Sequence, residues 1–341
     1  MLVLAPGLFV VAQASTASAS GSTAPKWAYA WANRPTAAHY TPNLEFQRQS
    51  NGRRATVTRN GTGNYDVTFP GLAALTGGTV EVTAEDSAGW CQVDSWGGSP
   101  DVTVNVLCFG PRGTARIDDG FDVAYTVGAG SPAYAYAWDD YPSSNGPPNN
   151  DYAFDGKGGT ITSRHISTGR YELTVPHLAG NNGTVKVTAY GAIPALCSVV
   201  SWGSGFIDVA CNQPSGAAID SEFDVSFANG TVSMLGVAGH KSGYAYDYEP
   251  SRTANLVGQY EFDSAGGAVH VTHRGTGLYL VTFPNLGRTN GHVEATSYTR
   301  TGDHCAADGT NTSGSGANVY LLCSDGFGHL VDTIFTVQYF V

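Results

Sequence analysis

The chain has 341 residues, a formal net charge of −11, and 13% charged against 42% hydrophobic residues. That length suits two or three domains with substantial cores, and the scarcity of cations excludes a nucleic-acid partner, which needs clustered Lys and Arg. With 44 Gly and 18 Tyr, the surface is expected to be rich in Gly, Ser, Thr, Asn and Tyr, as in extracellular β proteins.

The chain opens on an apolar stretch, Met1 to Ala12, too short to span a bilayer, and Ala17-Ser18-Ala19 has the small-x-small form of a signal-peptidase site. Residues 1–19 are therefore expected to be a secretory signal, with the mature chain starting at Ser20. No later apolar run is long enough for a membrane anchor, and no cysteine follows the cleavage site to carry a lipid.

Trp27-Ala-Tyr-Ala-Trp31 alternates with period two and predicts a strand with Trp27, Tyr29 and Trp31 on one face and Ala28, Ala30 and Ala32 on the other. Asn60-Gly61 is a hairpin-turn signal, followed by a strand that puts Tyr65, Val67 and Phe69 on one face. Val80 and Val82 alternate with Glu81 and Thr83, and the run ending this stretch places Phe121, Val123 and Tyr125 together.

The same blocks then return in the same order. Gly61-Thr-Gly-Asn-Tyr-Asp-Val-Thr-Phe-Pro-Gly-Leu72 reappears as Thr168-Gly-Arg-Tyr-Glu-Leu-Thr-Val-Pro-His-Leu178, and as Gly275-Thr-Gly-Leu-Tyr-Leu-Val-Thr-Phe-Pro-Asn-Leu286. Trp27–Trp31 matches Tyr134-Ala-Tyr-Ala-Trp138 and Tyr244-Ala-Tyr-Asp-Tyr248; Ile117–Val123 matches Ile219–Val225 and Val331–Val337. About seven strands per copy, spaced by turns, predict an antiparallel sandwich or jelly roll. The expected organisation is all-β: a signal at 1–19 and three tandem β-sandwich modules at 20–128, 129–229 and 230–341. They are expected to sit like beads or a short rod, with a close-packed trio as the alternative.

Two cysteines fall in each copy: Cys91 and Cys108, Cys197 and Cys211, Cys305 and Cys323. Each pair brackets a short strand–turn–strand segment. Parity puts Cys91 with Val93, and Cys108 with Val104 and Val106, so both sulfurs point into one core from adjacent strands. One internal disulfide per module is expected, in an oxidising, extracellular compartment. The spacings lack the CxxC of zinc or redox sites.

The aromatic strands allow two readings. Trp31, Trp138 and Tyr248, with their neighbours, could form a core wall, or a platform on which sugar rings stack while Asp139, Asp140 and Asp247 receive hydroxyls. Parity places Trp96 and Trp202 opposite the cysteine face, so each is a candidate outward anchor or a cover for a neighbouring module. Six of the nine histidines lie in the third copy, but His270 and His273 point to opposite faces of one strand; no metal site and no cofactor are expected. Asp118, Asp220 and Asp332 recur before the last strand, where an Asp serves a turn. No GxSxG, HExxH or carboxylate pair suggests an enzyme.

The run from Gly63-Asn-Tyr-Asp-Val-Thr-Phe69 through the cysteine hairpin to Ile117-Asp-Asp-Gly-Phe121 resembles secreted β-sandwich repeat proteins of actinobacteria and related bacteria, a resemblance that implies no particular activity. It is also faintly similar to the jelly-roll modules of phage tail fibres, which share a G-x-Y-x-V-x-F and a D-x-x-F-x-V strand and would imply receptor or glycan binding; the paired cysteines depart from that pattern. The expected function is therefore non-catalytic: a secreted repeat protein binding an extracellular ligand, foremost a glycan or cell-wall surface. A structural or protein-interaction module without a small ligand is the first alternative, and an enzyme of unrecognised type the second.

Overall fold

Alternating apolar residues build the same pair of facing antiparallel sheets three times along the chain. The structure is a computed structural model and describes residues 25–73, 77–113, 115–128, 131–178, 182–230, 233, 235–237, 239–287 and 291–341; the expected signal segment lies outside the described residues. The first module comprises β1 (Lys26–Trp31), β2 (His39–Tyr40), β3 (Gln47–Gln49), β4 (Thr56–Gly61), β5 (Asn64–Phe69), β6 (Thr79–Glu85), β7 (Trp90–Gly97), β8 (Val102–Phe109) and β9 (Gly120–Val127). One sheet runs β3-β1-β9-β6 and the other β2-β4-β5-β8-β7.

The second module has β10 (Tyr134–Asp139), β11 (Ala153–Asp155), β12 (Thr162–Ser167), β13 (Arg170–Thr174), β14 (Thr184–Tyr190), β15 (Leu196–Gly203), β16 (Phe206–Asn212) and β17 (Glu222–Ala228), in sheets β11-β10-β17-β14 and β12-β13-β16-β15. The third has β18 (Ser242–Asp247), β19 (Ala254–Asn255), β20 (Glu261–Asp263), β21 (His270–Gly275), β22 (Leu278–Phe283), β23 (His292–Ser297), β24 (His304–Ser313), β25 (Gly316–Ser324) and β26 (Phe335–Phe340), in sheets β20-β18-β26-β23 and β19-β21-β22-β25-β24.

Between each pair of sheets lies a core of equivalent residues. In the first it joins Tyr65, Val67 and Phe69 to Val80, Val82, Phe121, Val123 and Tyr125. The cysteines face each other in register on neighbouring strands and are bonded as Cys91–Cys108, Cys197–Cys211 and Cys305–Cys323. Closing loops of 17, 14 and 18 residues stabilises each module by roughly 3 kcal/mol in the chain-entropy model. These disulfides suit an oxidising, extracellular compartment.

Each module has one more pin. Asp118 accepts bonds from the Gly63 amide (3.0 Å), the Tyr65 hydroxyl (3.1 Å) and the Arg59 guanidinium (2.8 Å). Asp220 does the same with Gly169, Tyr171 and His165, and Asp332 with Gly277, Tyr279 and His273. The recurring Asp thus clamps the β-hairpin turn to the last strand. The glycine is obligatory: Gly63, Gly169 and Gly277 have φ of 59°, 62° and 68°, and a Cβ on any of them would strike backbone oxygen within 2.7 Å.

The modules are not beads. They close head to tail into a ring about a pseudo-threefold axis, with β6, β14 and β23 innermost. Single parallel bridges link Val93 to Tyr190, Val199 to Tyr298 and Ala307 to Glu85. Each is reinforced by one backbone bond: Gly191 N–H to Val93 O, Thr299 N–H to Val199 O, and Asp86 N–H to Ala307 O. At the axis a second cycle repeats the order. The amides of Val82, Val187 and Ala295 donate to the hydroxyls of Thr188, Thr296 and Thr83. A chain of heterologous contacts that closes after three steps leaves no free sticky surface.

Candidate functional site

The aromatic strands lie at the joints between modules. Ala28 and Ala30 face their own core, whereas Trp27 and Tyr29 face the third module, where Tyr29 meets His292 (5.1 Å) and Phe340 (5.5 Å) and Trp27 meets His240 (5.0 Å). The strand register also corrects the sequence alignment. Ala30, Ala137 and Ala245 all oppose the valine of the last strand, so Trp31 corresponds to Trp138 and to Tyr246. Tyr248 falls beyond β18; it is 41% exposed, against Tyr260 at 4.7 Å.

Trp96 and Trp202 are not outward anchors. A β-bulge between Val93 and Ser95, and another between Val199 and Ser201, shifts the register by one residue. That slip turns each indole to the cysteine face. Trp96 lies half-buried among Trp138 (5.4 Å), Tyr190 (5.3 Å) and Tyr152 (5.7 Å) of the second module. Trp202 plugs the next seam against Tyr246 (4.9 Å) and Tyr298 (5.6 Å). The rings meet edge to face, the geometry of packing rather than of an open platform. In the third seam the exposed Thr310 takes the tryptophan's place, opposite Val319, and Trp31 packs on Phe46 instead (4.6 Å).

The neighbouring carboxylates close turns. Asp139 is buried and accepts from the Ser163 hydroxyl and the Tyr141 amide; Asp247 accepts from the Glu249 amide, and burial pushes its pKa up to about 6. Asp140 receives the Asn149 amide. Nor do the histidines gather. His270 pairs with Asn255 and His273 with Asp332, while His292 is sealed at the first–third module seam; among the described residues no three His, Cys, Asp or Glu side chains could share a metal ion.

What sequence reading missed is the axis. Glu81, Lys186 and Glu294 occupy one equivalent position in the three innermost strands, opposite Ala124, Ser226 and Gln338, and all are buried. Thr188 donates to Glu81 (2.9 Å), Thr83 to Glu294 (2.6 Å), and Lys186 reaches Thr336 (3.3 Å). Burial, with the Glu294 charge, raises the Glu81 pKa, and burial lowers that of Lys186. Burial also works against His292⁺, but Asp122 and Glu294 on either side outweigh it and hold its pKa near 9. Beside this layer lies a cavity of about 50 Å³ lined by Thr83, Thr188, Thr296 and the half-cystines Cys91, Cys197 and Cys305, large enough for a few waters only. The all-buried pattern of β6, with both faces covered, could have been suspected only from a Thr and a charged residue recurring at identical places in all three copies.

The repeated architecture leaves one surface per module free to vary: the outward face of the disulfide sheet. In the first it is amide and acid, with Asn105 bonded to Asn64 and Asp66, and Thr68 to Thr103. In the second it is charged: Arg164, Arg170, Glu172 and Asp208. In the third it carries Leu278, Leu280, Leu322 and Tyr320, with Arg274 over the Tyr320 ring at 5.2 Å. No helix among the described residues is long and apolar enough to cross a membrane. Comparison of the chain with family models, curated proteins and solved structures gave no match.

Proposed function

We propose that this is a secreted, non-catalytic protein that binds an extracellular ligand, foremost a glycan or cell-wall surface, through the outward faces of its disulfide sheets. The observation that carries the reading is the contrast between inside and outside. Cores, disulfides, Asp pins and axial threonines recur three times, while the residues on the outward faces change chemical character from module to module. A purely structural ring needs no such divergence. A rigid, disulfide-closed scaffold also holds its surface groups without an ordering cost on binding.

The test is a pull-down of the mature chain on insoluble cell-wall polysaccharides, followed by a soluble glycan panel. Retention on at least one polysaccharide, competed by its soluble fragment, is the expected result. Absence of binding across the panel overturns the proposal in favour of a protein-interaction module, for which the Leu278, Leu280, Leu322 and Tyr320 row is the natural contact.

A further inference from the structure

A groove of about 360 Å³ opens where the second module's outward face meets the third module, within the size range of small-ligand sites. Its walls include Arg164, Arg170, Glu172 and Asp208 from the second module, Arg300 from the third, and the apolar Ile166 and Val200. The chain has only 17 Lys and Arg residues, and three of them meet here.

None of the three has a cationic counterpart in the other copies. Strand register puts Thr58 and Thr272 in the place of Arg164, and Asn64 and Leu278 in the place of Arg170. The parallel bridges put Ala192 and Ser87 in the place of Arg300. The scaffold requires none of these charges, because two of three copies do without them.

The charges are also unequally matched. Arg164 pairs with Glu172 at 2.9 Å, and Asp208 accepts from the Ser201 hydroxyl at 2.5 Å. Arg170 has no carboxylate partner among the described residues. Its terminal nitrogens reach only neutral acceptors: the carbonyls of Gly169, Cys211 and Arg300 and the amide oxygen of Asn212. Arg300 is exposed and forms no ion pair among the described residues, leaving its fork of donors open to the groove. Three cations thus face two carboxylates, each already bonded, in a chain that is otherwise acidic. Arg170 fixes a positive potential and Arg300 supplies directional donors.

We propose that this groove binds the carboxylate of an acidic saccharide, a uronate residue within an extracellular glycan. A planar carboxylate matches the Arg fork in bidentate geometry. Ile166, 48% exposed, and Val200 offer apolar surface for the C–H face of the ring, and Glu172 and Asp208 retain free lone pairs for its hydroxyls. The inference rests on the glycan-binding reading and adds the ligand class and the place.

Calorimetric titration of the mature chain with an oligogalacturonate, the neutral galacto-oligosaccharide of equal length and a sulfated oligosaccharide tests it. The oligogalacturonate is expected to bind at least about tenfold more tightly than the neutral sugar. Arg300→Ala should remove about tenfold of that affinity, the scale of one charge-assisted fork, and Arg300→Lys should recover part of it. Only the Arg300 carbonyl bonds to Arg170, so the melting temperature of Arg300→Ala should stay at the wild-type value. Equal affinity for acidic and neutral sugars, preference for the sulfated one, or full affinity in Arg300→Ala overturns the carboxylate site while leaving glycan binding elsewhere standing. No binding to any of the three, together with a blank polysaccharide panel, removes both.

Discussion

Replacing Trp202 by alanine separates an inter-module joint from a ligand anchor. The indole is 8% exposed and touches two tyrosine rings of the third module, at 4.9 and 5.6 Å. Truncating a buried Trp costs about 3–5 kcal/mol through lost transfer energy and the cavity left behind. Each aromatic pair accounts for about 0.5–1.5 kcal/mol of that. For a chain of this size 1 kcal/mol moves the melting temperature by about 2 °C, so Trp202→Ala should melt about 6–10 °C below wild type in differential scanning calorimetry. Trp96→Ala, at the half-buried end of the other plugged seam, should lose about half as much. The two effects should add, since the sites share no partner. A ligand-anchoring Trp would behave in the opposite way, with binding abolished and the melting temperature untouched. That pattern in Trp202→Ala would refute the assignment of this residue to the joint.

Three further outcomes follow from the axis and the pins. Lys186→Glu sets three buried carboxylates about one axis and should cost about 3–5 kcal/mol at pH 7.5, with partial rescue near pH 5 as the carboxyls take up protons; near-UV circular dichroism at both pH values reads this, and an unchanged melt at pH 7.5 contradicts it. Glu81, Glu85, Glu294, Asp224 and His292 all have folded pKa values above their unfolded ones, so they contribute stability that is complete below the unfolded values and lost as pH rises through the folded ones, whereas Lys186, shifted down, opposes them as pH falls. The melting temperature should therefore be highest in the acid range and decline as pH climbs from the ordinary carboxylate and histidine ranges up to about 8 and 9, the folded values of Glu81 and His292, where their loss is complete. Asp332→Ala, which orphans the Gly277 amide and the Tyr279 hydroxyl and leaves His273 unpaired, should cost about 1.5–3 kcal/mol in chemical denaturation.

Module count, strand faces and cysteine pairing were legible because they rest on period-two alternation and on repetition, both local signals. Tyr65, Val67 and Phe69 face inward as the alternation requires, and Cys91 meets Cys108 in register. For Trp96 and Trp202 the reading as covers for a neighbouring module holds, while the face assigned to them fails for an equally local reason: one bulged residue before each inverts the parity, and nothing in Gln92-Val-Asp-Ser-Trp96 announces a bulge. The alternation of the aromatic strand fits a core wall or a sugar platform, whereas its rings form the joints. A periodicity separates two faces of a strand without saying which object covers the second one. Closure of the ring left no trace that a one-module view could recover, since Glu81 and Thr83 look like the solvent side of any amphipathic strand.

The axial charges bear on why three similar modules close on one another and stop. Modules with identical edges could pair in any order or with other chains, and heterologous contacts that fail to close make filaments. Here the three edges differ. Two seams carry a Trp plug and the third carries Thr310, and the axial position reads Glu, Lys, Glu. Lys186 is the one basic group between two buried glutamates, so a ring built from three first modules, or three third modules, would bury three carboxyl groups at the axis with no base among them. A buried polar group that lowers stability while excluding alternatives is a known way to specify assembly. The covalent order of the chain and the charge at position 186 then act in the same direction, favouring a closed single-chain trio over open association. A rigid ring of this kind presents its three outward faces in fixed relative positions, and that is what distinguishes it as a binding scaffold from a flexible string of the same modules.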